Sequence, residues 1–145
     1  MGSEQSAVDD KWVPMDGKFR GSTQVLGVSD VSADMTIRPD NTIVLHKLTC
    51  KNCGPTTKED LLQGCTDRNV HIDVDDRTDT GYTIKGSCID VLKKHKTADG
   101  TPAVKGEIGV YNADNMLSLQ IETHICITKD LCFDESFSVP LHKYE

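Results

Sequence analysis

The run Leu117-Ser118-Leu119-Gln120-Ile121-Glu122-Thr123-His124-Ile125-Cys126-Ile127 sets the fold class. A period of two places Leu117, Leu119, Ile121, Ile125 and Ile127 on one face of a strand and Ser118, Gln120, Glu122, His124 and Cys126 on the other. The same alternation recurs outward along the chain. Phe137, Val139 and Leu141 repeat it downstream. Upstream, Val70, Ile72 and Val74 alternate with His71, Asp73 and Asp75, and Val31, Ala33, Met35 and Ile37 alternate with Ser32, Asp34 and Thr36. Strands with one apolar and one polar face belong to antiparallel sheets.

The punctuation between these runs has turn chemistry. Arg38-Pro39-Asp40-Asn41 separates the strand ending at Ile37 from the run that starts at Thr42, and Asp and Asn accept turn backbone angles at little cost. Asp79-Thr80-Gly81, Ala98-Asp99-Gly100-Thr101-Pro102 and Asn112-Ala113-Asp114-Asn115 follow the same logic. The spacing predicts an all-β chain, a single antiparallel β-barrel or β-sandwich of about eight to ten strands. At most one short helix is expected, over 57–63, where Thr57-Lys58-Glu59-Asp60 resembles a capping box and Gly64 a stop. Residues 1–10 are polar and lack any apolar period, so they read as a disordered tail, leaving 11–145 as a single β domain that starts near Trp12. No repeat of the length used by solenoids or propellers is present. The layout is shared by lipocalin-like barrels and immunoglobulin-like sandwiches. The residues that mark either, a Gly-x-Trp opening or a Cys-Trp-Cys core, are lacking.

A chain of 145 residues buries enough surface to fold without a metal or disulfide. Its apolar content is 37% and its aromatic content 5%, so the core is built from Val, Ile and Leu. A formal charge of −7 repels phosphate backbones and anionic headgroups, and nucleic acid is not an expected partner. The basic stretch Lys93-Lys94-His95-Lys96 reads as a charged loop. No window is apolar enough for a transmembrane segment, and the N-terminus lacks the layout of a secretory signal. Met1-Gly2-Ser3-Glu4-Gln5-Ser6 fits the N-myristoylation pattern at Gly2, although a cloning vector leaves the same letters and Asp9 and Asp10 carry the wrong charge for a membrane.

Cys50, Cys53, Cys65, Cys88, Cys126 and Cys132 form an even set that reads as a disulfide framework. Cys126 ends a strand and Cys132 follows the polar turn Thr128-Lys129-Asp130, so a bridge between them would staple a hairpin. Cys50 and Cys53 are expected to reach different partners, Cys65 and Cys88, rather than each other. Two rival readings of Cys50-x-x-Cys53 are zinc, completed by Cys65 and Cys88 or by His46, and a redox dithiol. The zinc spacing is irregular, and the dithiol lacks a helix to open.

Asp73, Asp75, Asp76 and Asp79 crowd one turn, but the spacing is not that of an EF-hand and a solvated acidic hairpin is the plainer reading. Glu122, His124 and Cys126 share a strand face, where spacing of roughly 7 Å is too long for direct hydrogen bonds, and a disulfide at Cys126 would abolish any thiolate there. His46, His71, His95 and His142 are scattered and receive no role. No phosphate loop, nucleophile elbow or metalloprotease motif occurs. Neither cofactor nor metal is expected.

These features point to a non-enzymatic, secreted, disulfide-stapled domain that engages a protein partner. The alternatives are a lipocalin-like carrier of a small hydrophobic ligand and an intracellular, N-myristoylated β protein on the cytoplasmic face of a membrane.

Overall fold

The structure is a computed structural model that describes residues 16–25, 29–51, 60–74, 81–97, 99–113 and 116–145. The Gly2 lipidation pattern, Trp12, Cys53 and the acidic residues Asp75, Asp76 and Asp79 lie outside them.

Eight strands form a closed barrel: β1 (Gly17–Val25), β2 (Ser29–Ile37), β3 (Ile43–Cys50), β4 (Asn69–Val74), β5 (Gly81–Lys85), β6 (Val104–Ala113), β7 (Met116–Thr128) and β8 (Leu131–Lys143). Each pairs antiparallel with its sequence neighbours, and β8 closes on β1. The barrel form of the expected fold is therefore the one adopted.

The alternating runs line the interior. Val31, Ala33, Met35 and Ile37 of β2, Leu117, Leu119, Ile121 and Ile125 of β7, and Phe137, Val139 and Leu141 of β8 are all buried in one core cluster. Tyr82, Phe19, Met35, Ile43 and Leu45 are among the largest fully buried side chains. An eight-stranded barrel is just wide enough for side chains of this size to fill.

Alternation fails where the register slips. Asp34 faces Lys47 but Met35 faces Leu45, so His46 is an extra residue in β3 and both His46 and Lys47 point outward. Cys126 faces Cys132 but Thr128 faces Leu131, which makes Ile127 the extra residue of β7. Ile127 is accordingly 40% exposed rather than inward-facing, correcting its expected place on the apolar face. Thr123 takes an inward position instead, its Oγ1 donating to the Glu135 carbonyl.

The short helix lies elsewhere than expected. Residues 60–63 are bridge and turn, residues 57–59 fall outside the description, and the helix among the described residues is α1 (Ser87–Leu92). Asp60 pairs with Thr49, and the Leu61 amide donates to the Leu48 carbonyl, so this segment is drawn into an extension of the sheet. In α1, Cys88, Ile89 and Leu92 face the core.

Since the strands alternate in direction, the β3–β4, β5–β6 and β7–β8 connections share one end of the barrel. Leu61 and Leu62 of the first, and Ile89, Leu92 and Ala103 of the second, belong to the same buried cluster as the barrel lining and plug that end. His95 Nε2 lies 3.1 Å from the Leu61 carbonyl oxygen, tying the two connections together.

Candidate functional site

Disulfides fix the plugged end. Cys65 bonds Cys88, with Cα atoms 5.2 Å apart, joining the β3–β4 connection to α1. That pairing overturns the expectation that Cys65 and Cys88 would be the partners of Cys50 and Cys53, and it removes the four-ligand zinc site built on them. Its physical reason is that the plug buries Cys88 beside Ile89, where the turn that buries Leu61 and Leu62 brings Cys65 against it. His46 is likewise unavailable to that site, because its Nε2 lies 2.6 Å from Thr36 Oγ1. Cys126 bonds Cys132 across the β7–β8 hairpin, where the two residues are directly opposed and their Cα atoms are 4.1 Å apart. Cys50 is also disulfide-bonded.

Beside the hairpin disulfide lies a connected polar cluster. His124 is on the outward face of β7, and the register sets it opposite Asp134 of β8. Its Nδ1 is 2.7 Å from Asp134 Oδ1, and its Nε2 is 2.7 Å from Asp99 Oδ2, in the loop that leads into β6. An imidazole with a carboxylate at each nitrogen satisfies both only when both nitrogens carry protons. The hydrogen bonds to Asp134 and Asp99 raise the His124 pKa above its ordinary 6.5 against the opposing effect of burial.

Each carboxylate is itself fixed. Asp99 accepts from Thr97 Oγ1 at 2.7 Å and from the Thr101 amide at 3.0 Å. Those Thr97 bonds, then His124, then the Thr101 amide, hold its carboxyl far below the usual range. Asp134 accepts from Lys105 Nζ at 2.7 Å, and Lys105 followed by His124 lowers its pKa. Two carboxylates, one imidazolium and one ammonium balance in charge. The cluster clamps Thr97, Asp99 and Thr101 to β6, β7 and β8, and the side chain of His124 is 12% exposed.

This arrangement differs from the alignment of Glu122, His124 and Cys126 along one face. Cys126 is in a disulfide and has no thiolate, so that set has no nucleophile. His124 works with Asp134 and Asp99 instead. Asp134 was within reach of the sequence, because pairing Cys126 with Cys132 across a hairpin also pairs His124 with Asp134. Asp99 comes from a distant loop and left no signal.

Two further surfaces stand out. The hairpin tip exposes Ile127, and Leu131 opposite the bulge is 54% exposed. An open groove of about 410 Å³ runs along the outer face of β5–β8, lined by Thr83, Glu107, Gly109, Gln120, Glu122 and Ser138 among others. It forms where β6 bulges between Lys105 and Gly109 and where Gly109 leaves no side chain. Asp73, the described member of the acidic turn, pairs with Lys85 at 3.3 Å.

Comparison with protein-family models, curated proteins and solved structures found no match to this chain. The reading of its surface therefore rests on its own chemistry. No helix among the described residues is long and apolar enough to cross a membrane.

Proposed function

We propose that this chain is a non-enzymatic, disulfide-stapled binding domain that engages another protein through the β7–β8 hairpin, in an oxidising compartment. The observation that carries the reading is the pairing of β1 with β8, which runs through Phe19↔Lys143 and Arg20↔His142. Continued in that register, β1 would end opposite Phe137, so residues 131–136 of β8 extend past the end of β1. No described residue of β1 stands opposite them, and with Leu131 and Ile127 exposed beside them we read them as an available strand edge.

An extended partner segment adds to such an edge through main-chain hydrogen bonds, and side-chain contacts supply selectivity. The hairpin is held ready for this by its disulfide and by the His124 clamp, which lowers the ordering cost of binding. Asp134 and Glu135 on the same edge oppose indiscriminate pairing between copies. The large buried side chains that line the barrel, Phe19, Met35 and Tyr82 among them, support recognition on the outside over carriage of a hydrophobic ligand within. Disulfides persist where the surroundings are oxidising, which supports the compartment.

The test is cross-linking mass spectrometry on protein recovered from its native source, followed by affinity measurement with the partner identified. Cross-links should map to residues 127–136, and Leu131→Asp with Ile127→Asp should weaken binding at least tenfold while leaving thermal stability unchanged. Cross-links confined to other faces, or a co-purified hydrophobic small molecule and no protein partner, would overturn the reading.

A further inference from the structure

The outer face of the hairpin gathers donors of mixed chemistry, and we propose that the reduced chain binds one divalent transition-metal ion, zinc above all, through Asp99, His124, Cys126 and Cys132. One potential ligand atom from each lies within 4.8 Å of every other. Tetrahedral zinc, with bonds of about 2.0–2.3 Å, places its ligands roughly 3.5 Å apart. The wider pairs must close and the nearer ones must open, the two sulfurs once their bond is reduced and Nε2 and Oδ2 from 2.7 Å, each by a small side-chain shift without any change in strand register.

The surroundings of these four residues match what a metal-bound imidazole requires. Asp99 faces Nε2, so Nε2 is the nitrogen that meets the metal. Asp134 faces Nδ1 and would accept its proton, the outer carboxylate that orients an imidazole ligand and raises its basicity. Lys105 holds Asp134, and Thr97 and Thr101 hold Asp99, so both carboxylates are placed before any ion arrives. Two sulfurs and a nitrogen select a borderline or soft ion over calcium or magnesium.

The disulfide and the metal exclude each other. A dithiol reductant transfers two electrons and two protons to the Cys126–Cys132 bond, giving two thiols on the chain and leaving as its own disulfide. Metal entry then displaces the two thiol protons and the Nε2 proton of His124. In the oxidised chain the same face is the charge-balanced clamp described above. The inference is independent of the docking reading, since it concerns the reduced hairpin alone.

The test uses the full chain carrying Cys50→Ser and Cys53→Ser, which removes the competing Cys-x-x-Cys pair. It is reduced with a dithiol, desalted without air and titrated with Co²⁺. One Co²⁺ per chain, with thiolate-to-cobalt charge-transfer absorption, is expected. The oxidised chain should show none, and neither should the reduced chain that also carries Cys132→Ser. Asp134→Asn, which removes no ligand, should weaken binding roughly tenfold or more. Uptake that survives Cys132→Ser would overturn the proposal, as would no uptake by a reduced chain whose amide spectrum shows the barrel intact. Alkylation gives a second readout that does not depend on variants. Zn²⁺ should slow labelling of Cys126 and Cys132 but not of Cys65 and Cys88, and equal labelling with and without Zn²⁺ would overturn it.

Discussion

Four aspartates share one local task. Asp40, Asp60, Asp67 and Asp99 each accept a backbone N–H two residues on, from Thr42, Leu62, Asn69 and Thr101. Each fixes a turn in which the carboxylate replaces a backbone carbonyl. The acidity that the sequence shows as a net charge is thus partly turn chemistry, and Asn41, at φ 66°, takes the left-handed position beside one of these carboxylates. Hydrogen bonds from Thr42, side chain then backbone, lower the Asp40 pKa from its ordinary 3.8, and those from Asn69 do the same for Asp67. A carboxylate with a depressed folded-state pKa contributes stability above its unfolded value, and that contribution is lost as pH falls through the folded one. In an NMR acid titration the Thr42 and Asn69 amides should therefore shift with midpoints below 3.8. Midpoints at or above that value would remove the turns' claim on these carboxylates.

At the scale of elements, the β1–β8 seam that closes the barrel is paired through only two positions, Phe19↔Lys143 and Arg20↔His142. A Cβ on Gly21 would come within 1.9 Å of the Pro140 carbonyl oxygen, so the two backbones meet where only glycine fits. Pro140 has no N–H to donate, and the β1–β8 ladder stops two residues short of it at Arg20↔His142. Gly21→Ala should separate this seam and cost several kcal/mol, by analogy with overpacked cores at about 1–3 kcal/mol or more. Hydrogen exchange should then accelerate at Phe19, Arg20 and His142 before it does in β6 and β7. Unchanged exchange there would mean that β1 is held mainly through β2.

The alternation of β2, β7 and β8 made these elements legible in sequence, because each has one wet and one dry face. Slips at His46 and Ile127 were not legible, since a bulge is decided by what the neighbouring strand presents. The helix lies away from its expected place for a related reason. Capping letters over 57–63 are local, whereas the helix at 87–92 forms because Cys88, Ile89 and Leu92 are needed to cover the barrel's end. The clamp was half legible, from the cysteine pairing that aligns His124 with Asp134, and its Asp99 arm depends on a loop 25 residues away in sequence.

For the whole molecule, the two described disulfides act on different loops. Cys65–Cys88 closes a separation of 23 residues and Cys126–Cys132 one of 6. Chain-entropy arguments give about 3 kcal/mol for the former and about 2 kcal/mol for the latter. Cys65→Ser with Cys88→Ser should therefore lower the unfolding free energy by about 3 kcal/mol. Denaturant titration checks it, and a loss no greater than that of the corresponding Cys126 and Cys132 pair would show that the plug is held by packing alone.

The ends of the barrel path lie together: the Lys18 amide donates to the Glu145 carbonyl, and Lys18 Nζ sits 2.6 Å from Glu145 Oε1. Both are at the pole opposite the plug and the hairpin tip. A fusion partner or surface tether joined to Glu145 would thus leave the hairpin facing outward. A short peptide bridging Gly17 and Glu145 would let the chain be reopened at another turn, yielding a circular permutant with the same barrel.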